Sequence, residues 1–227
     1  VIYNPTRTSL LLQAAERGRS GPLPIRCAGG LAMLVDQARA AEELFSSRPI
    51  PEEETERILS SLRRDTVNLV LVGMPGCGKT TVGRALSALS GKPFVDLDGE
   101  VVRMAGRPIP EIFARQGEAA FRELESRALA ETCAKTGLVI ATGGGAVLRA
   151  ENRLAMRRTG QVYWLRRELG RLPTEGRPLS QGGSLEEMER IRRPLYDAAS
   201  DVSVQNDTSA AETARRIWRD FCENSGN

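Results

Sequence analysis

An apolar run, Asn68-Leu69-Val70-Leu71-Val72, ends in Gly73, and Gly73, Gly78, Lys79 and Thr80 stand at the spacing GxxxxGK[ST]. That spacing is a device for gripping phosphates. Glycines let backbone N–H groups turn inward where a side chain would block an anion's approach. Lys79 brings a cation to the β- and γ-phosphates of a nucleotide, and the Thr80 hydroxyl can ligate Mg²⁺. The run Thr81-Val82-Gly83-Arg84-Ala85-Leu86 begins a helix whose positive end faces the same anion. Gly76, Cys77, Gly78, Lys79, Thr80 and Thr81 are therefore the candidate nucleotide-binding set. A glycine-rich turn that binds nothing is the alternative, and the apolar strand before and helix after argue against it.

Further along the chain are residues that could act on the second substrate. Asp96 and Asp98 follow an apolar run, and alternation on an extended segment would send both carboxylates the same way. One could hold Mg²⁺ and the other accept a proton from an acceptor hydroxyl. The competing reading is a helix cap, with Asp98 before Gly99-Glu100-Val101-Val102. Arg122 and Glu125 lie three apart on a helical run, either as a surface ion pair or as a guanidinium oriented to read a carboxylate. Gly143-Gly144-Gly145 follows Ala141-Thr142 and offers bare backbone N–H groups to a polyhydroxylated or phosphorylated ligand, unless it is merely a flexible turn. Arg177 lies in a Pro/Gly/Ser-rich interval, 171–184, that reads as a lid. Arg192 lies in the helical run beyond it.

Elements must bring these positions together. Candidate strands at 67–72, 93–97, 138–142, 161–165 and 201–205 alternate with helical runs, strongest at 79–89, 118–135, 185–199 and 210–222. Near-continuous apolar strands separated by helices predict an α/β fold, a parallel sheet of about five strands covered on both faces. In such a sheet the ligand crevice lies off the carboxyl ends of the strands, where the glycine loop, Asp96, Asp98 and the triple glycine all fall.

The composition narrows the function classes. A net charge of +3 is too mild to argue for nucleic acid or membrane surfaces, and no apolar segment reaches membrane-span length. Four scattered cysteines with no CxxC pair read as reduced thiols, which sets the expectation of a cytoplasmic protein. With no histidine in the chain, acid–base chemistry falls to carboxylates or lysine.

Ahead of the glycine loop, two short helical runs, from Ser9 to about Arg17 and from Leu31 to Phe45, cannot bury a core alone and read as a docking arm or a partly disordered extension. The run 49–64 reads as a linker and helix, with Ile58 and Leu62 as a thin stripe suited to docking on a neighbour. Val1-Ile2-Tyr3-Asn4-Pro5, Thr8, Leu10-Leu11 and Gly30 to Ala38 resemble the C-terminal end of shikimate dehydrogenase, whose shikimate-contacting glutamine matches Gln37. The rest of that enzyme, including its catalytic lysine–aspartate pair, has no counterpart, so no dehydrogenase activity is expected. Shikimate-dependent reduction of NADP would overturn this. The expected organisation is a remnant at 1–48, a linker and helix at 49–66 and the domain of the glycine loop at 67–227, cut from a longer fusion.

The second part resembles shikimate kinase over residues 67 to about 222. The shared motifs are the glycine loop running into Thr81-Val82-Gly83-Arg84, the D-x-D pair and Ile112-Phe113 with Gly117-Glu118 and Phe121-Arg122-x2-Glu125. The triple glycine, Arg177-Pro178-Leu179 and Arg192-x-Pro194-Leu195-Tyr196 complete them. The resemblance implies a P-loop kinase fold, with ATP and Mg²⁺ as cofactors and shikimate phosphorylated at its 3-hydroxyl. It implies that Thr80 and Asp96 hold Mg²⁺, that Asp98 binds shikimate and acts as base, and that Lys79 and Arg177 act on the phosphates. Arg122 and Arg192, beside Gly143, Gly144 and Gly145, would clasp the shikimate carboxylate. Val102 stands where many members carry glutamate, and Arg171 is the nearest match to the adenine-stacking lid arginine. Shikimate and ATP are the expected partners, without nucleic acid or membrane, for a monomer or a part of the larger fusion. The rivals are another small P-loop kinase, for gluconate or nucleoside monophosphates, and a regulatory nucleotide-binding domain without turnover.

Overall fold

The computed structural model describes residues 4–20, 25, 29–172 and 185–224. Three helices come first: α1 (Ser9–Ser20), α2 (Gly30–Ser46) and α3 (Glu52–Thr66). Then follow β1 (Asn68–Val72), α4 (Lys79–Ser90), β2 (Phe94–Asp96), α5 (Leu97–Ala105), α6 (Ile109–Cys133) and β3 (Val139–Ala141). The chain continues through α7 (Ala150–Thr159), β4 (Gly160–Arg166), α8 (Leu185–Ala199), β5 (Val202–Gln205) and α9 (Ala210–Asn224). The five strands form one parallel sheet in the order β2-β3-β1-β4-β5. β1 is central, and all five of its residues are buried, which is why its sequence is a continuous apolar run after Asn68. Asn68 itself is fully buried and satisfied: it donates to the Lys135 carbonyl and accepts from the Leu138 amide, both at 2.8 Å.

Two expectations about local structure change. Asp96-Leu97-Asp98 is not an extended segment. Asp96 closes β2 and its carboxylate accepts from the Asp98 amide at 3.2 Å, capping α5, so Asp98 sits in that helix's first turn. Helix α6 starts at Ile109, well before the predicted 118, and bends at Gly117, whose φ of 77° and ψ of 177° no helix accommodates.

The N-terminal segment is docked. Arg7 donates from both terminal nitrogens to the Asp201 carboxylate, at 2.7 and 3.1 Å, and to the Gly160 carbonyl at 3.0 Å. The Arg7 amide and Thr6 hydroxyl both donate to the Arg158 carbonyl, Glu16 pairs with Arg157, and Leu12 is buried. These contacts fall on α7 and on the amino ends of β4 and β5, away from the glycine loop. Helices α2 and α3 line a shared groove through Val35, Thr55 and Leu59. The stripe expected to dock, Ile58 and Leu62, remains exposed at 44% and 36%. Among the described residues no helix is long and apolar enough to cross a membrane.

Candidate active site

At the carboxyl ends of β1, β2 and β3 lies a cavity of about 570 Å³. Gly76, Gly78, Lys79, Thr80, Thr81, Asp96, Asp98, Arg122, the three glycines 143–145 and Arg192 all line it, drawn from five elements and two loops. Of the residues expected at the site, Cys77 is buried behind the loop and does not line the cavity. Arg177, and most of the interval read as a lid, lie outside the described residues.

The glycine loop is built as its sequence requires. Gly73, Gly76 and Gly78 have φ of 146°, 82° and 100°, a region open to glycine. Lys79 is 8% exposed, and its ammonium donates to the loop's own Gly73 and Met74 carbonyls at 2.8 and 2.9 Å. The Thr80 hydroxyl donates to Asp96 at 2.9 Å, joining the start of α4 to the end of β2.

Arg122 and Glu125 are not a surface pair. Their side chains are 9% and 1% exposed, and they meet at 2.7 Å. Glu118 adds a second carboxylate at 3.1 Å, and the guanidinium lies 5.2 Å from the Phe121 ring centre. Burial pushes the Glu125 carboxyl above the usual range, against the opposing pull of Arg122. Its Oε2 holds Arg122, while its Oε1 is buried and has no hydrogen-bond partner among the described residues.

The triple glycine has a tertiary reason that bare N–H groups did not suggest. A Cβ on Gly143 would come within 2.5 Å of Glu125 Oε1 and 3.0 Å of Asp98 Oδ1. On Gly144 it would strike Pro75 of the glycine loop at 2.7 Å, and on Gly145 it would overlap the Arg122 guanidinium. Three glycines therefore admit two carboxylates, the loop wall and a cation. The Gly144 carbonyl accepts from the Tyr196 hydroxyl at 2.6 Å and from Arg192 at 3.2 Å, which fixes α8 to this floor.

Sequence reasoning missed two residues beside the site. Asn206, after β5, donates to the Cys77 carbonyl at 2.6 Å and accepts from Thr213 at 2.8 Å. Arg167, just beyond β4, lines the cavity. The rule that ligands gather at strand carboxyl ends could have flagged both.

Magnesium fits the donors present. Among the described residues no cluster of three His, Cys, Asp or Glu side chains exists. Mg²⁺ at phosphate-transfer sites instead takes one or two protein oxygens and completes its shell with water and phosphate. Thr80 and Asp96, already in contact at the rim of the glycine loop, are such oxygens.

A family model described as shikimate kinase matches residues 75–221. The chain is 47% identical over 152 residues to a shikimate kinase of Symbiobacterium thermophilum, covering 62% of this chain and 87% of that one. It is 37% identical over 188 residues to one from Bordetella avium, covering 79% and 85%. Among solved structures, shikimate kinase from Acinetobacter baumannii in complex with shikimate superposes with a TM-score of 0.65 at 33% identity. That match covers 73% of this chain and 98% of the other.

Proposed function

The chain belongs to the shikimate kinase family, and from that premise we propose that it transfers the γ-phosphoryl group of ATP to the 3-hydroxyl of shikimate. One observation carries the reading: two buried arginines, a glycine floor and Asp98 share a single cavity with the phosphate loop. Arg122, oriented by Glu125, and Arg192, oriented by the Gly144 carbonyl, present cations to the acceptor's carboxylate. Asp98 accepts the proton of the 3-hydroxyl as its oxygen attacks the γ-phosphorus. The bond from that phosphorus to the β–γ bridging oxygen breaks, leaving ADP and shikimate 3-phosphate. Lys79 exchanges its loop carbonyls for phosphate oxygens, and Arg177 closes over them. Thr80 and Asp96 would hold Mg²⁺, which when bound would supply charge neutralisation on the phosphates.

The wider organisation rests on the same reading. Residues 67–227 form the kinase unit in the cytoplasm, and residues 1–48 are a shikimate dehydrogenase remnant from a longer fusion, joined through 49–66. ADP release should depend on shikimate and not on gluconate or AMP; release with either of those instead would exclude this acceptor. Asp98→Asn should lower kcat on the order of 10²-fold or more with an unchanged melting temperature. An unchanged kcat would remove Asp98 from the role of base.

A further inference from the structure

Past the carboxyl end of β4 the backbone is pinned to the phosphate loop. A Cβ on Gly73 would come 2.5 Å from the Leu165 carbonyl, so strand and loop touch there without room for a side chain. The Arg166 carbonyl accepts from the Asn206 amide at 2.7 Å. The same Asn206, 6% exposed, donates through its side chain to the Cys77 carbonyl at 2.6 Å and is held by Thr213 at 2.8 Å. A Cβ on Gly78 would lie 2.6 Å from the Asn206 amide nitrogen. Asn206 is thus a strut between the end of β4 and the back of the loop. Arg167 is the next residue out, it lines the cavity, and its side chain makes no ion pair or hydrogen bond with a described residue. Arg166 beside it is occupied differently, its guanidinium 5.1 Å from the Trp164 ring centre.

We propose that Arg167 is a phosphate-binding residue of the nucleotide site, a cation installed on the sheet and positioned by Asn206, separate from any arginine of the lid. Among the described residues, the other arginines that line the cavity are committed: Arg122 to Glu125 and Glu118, Arg192 to the Gly144 carbonyl. Lys79 is the loop's own cation, and a triphosphate carries more charge than one ammonium balances. An uncommitted guanidinium on a pinned segment meets that excess at the cost of ordering its side chain alone, because the backbone under it is already fixed. Its fork also suits two phosphate oxygens at once.

The inference rests on the kinase reading for the identity of the nucleotide, but its test needs no acceptor. MgATP and MgADP are titrated into the full chain without shikimate. Arg167→Gln should weaken MgATP about tenfold or more, as expected for a lost charged hydrogen bond, with an unchanged melting temperature. Arg167→Lys should recover part of the loss, and Arg166→Gln should bind as the parent does. Asn206→Ala keeps the backbone bond to the Arg166 carbonyl but frees the Cys77 carbonyl of the loop. It should therefore weaken MgATP in the parent background and still weaken it, though by less, once Arg167 is glutamine. Unchanged MgATP affinity in Arg167→Gln, or an equal loss in Arg166→Gln, overturns the proposal. Full additivity of the Asn206 and Arg167 effects removes the positioning role. A wrong acceptor would instead appear as ADP release without shikimate dependence and would leave these titrations intact.

Discussion

Two arginine–carboxylate pairs sit at opposite ends of the sheet and differ in one respect. At the amino end, every oxygen of Asp201 is used: Oδ1 and Oδ2 each take an Arg7 nitrogen, and Oδ2 also takes the Val162 amide at 2.9 Å. At the carboxyl end, Glu125 gives Oε2 to Arg122 and leaves Oε1 buried and unmatched beside Gly143. Glu125 is also the more buried carboxylate, 1% exposed against 13% for Asp201. A saturated pair holds a fold together, whereas an unsaturated buried oxygen costs stability that water or a ligand in the cavity can recover. The amino-end pair ties the N-terminal segment to the sheet, and the carboxyl-end pair lines the cavity where we propose the acceptor binds.

Glu125→Gln should produce the largest effect. It keeps volume but removes the charge that orients Arg122, so the KM for shikimate should rise roughly 10- to 100-fold, the range of a lost charged hydrogen bond. Folding should be little weakened, since a disfavoured buried charge goes too. Steady-state kinetics beside thermal melts would break the comparison if kinetics held and stability fell. Arg7→Ala is the reciprocal case. It should cost about 1–2 kcal/mol of stability, moderated by the partial exposure of Arg7, with kcat and both KM values unchanged. A changed KM for shikimate would mean that the docked N-terminal segment reaches the site.

Lys92 supplies the smallest and most specific test. Its ammonium donates to the Val67 carbonyl at 3.0 Å and lies 5.8 Å from the Phe221 ring centre. Burial lowers its pKa from 10.5 to about 8, with Asp65 opposing. The unfolded chain therefore binds more protons than the folded one between these values, so stability should rise as pH climbs from about 8 towards 10.5. Lys92→Met should flatten that rise in denaturant titrations across this range. A parallel rise in both proteins would show that Lys92 is not its source.

The glycine loop was legible because its function is local: eight consecutive residues supply the positive φ values, the cation and the hydroxyl, whatever packs around them. The inner strands β1, β3 and β4 were legible too, since burial on both faces makes them apolar. Strand ends were not. Whether Asp96 continued a strand or capped a helix depended on the hydrogen bond its side chain chose, and alternation alone pointed the wrong way. Arg122 and Glu125 stood at a spacing that serves surface and site alike, and only the cover of neighbouring elements made the pair buried. Asn206 and Arg167 left almost no trace, because the strut joins Cys77, Arg166 and Thr213 across 136 positions of sequence, from 77 to 213. The sequence by itself determined a loop built to grip a nucleotide's phosphates, and with no histidine it left acid–base chemistry to carboxylates or lysine. Tertiary structure decided which charges are left free to meet ligands, because whether a charge is already spent depends on neighbours that folding brings from elsewhere in the chain.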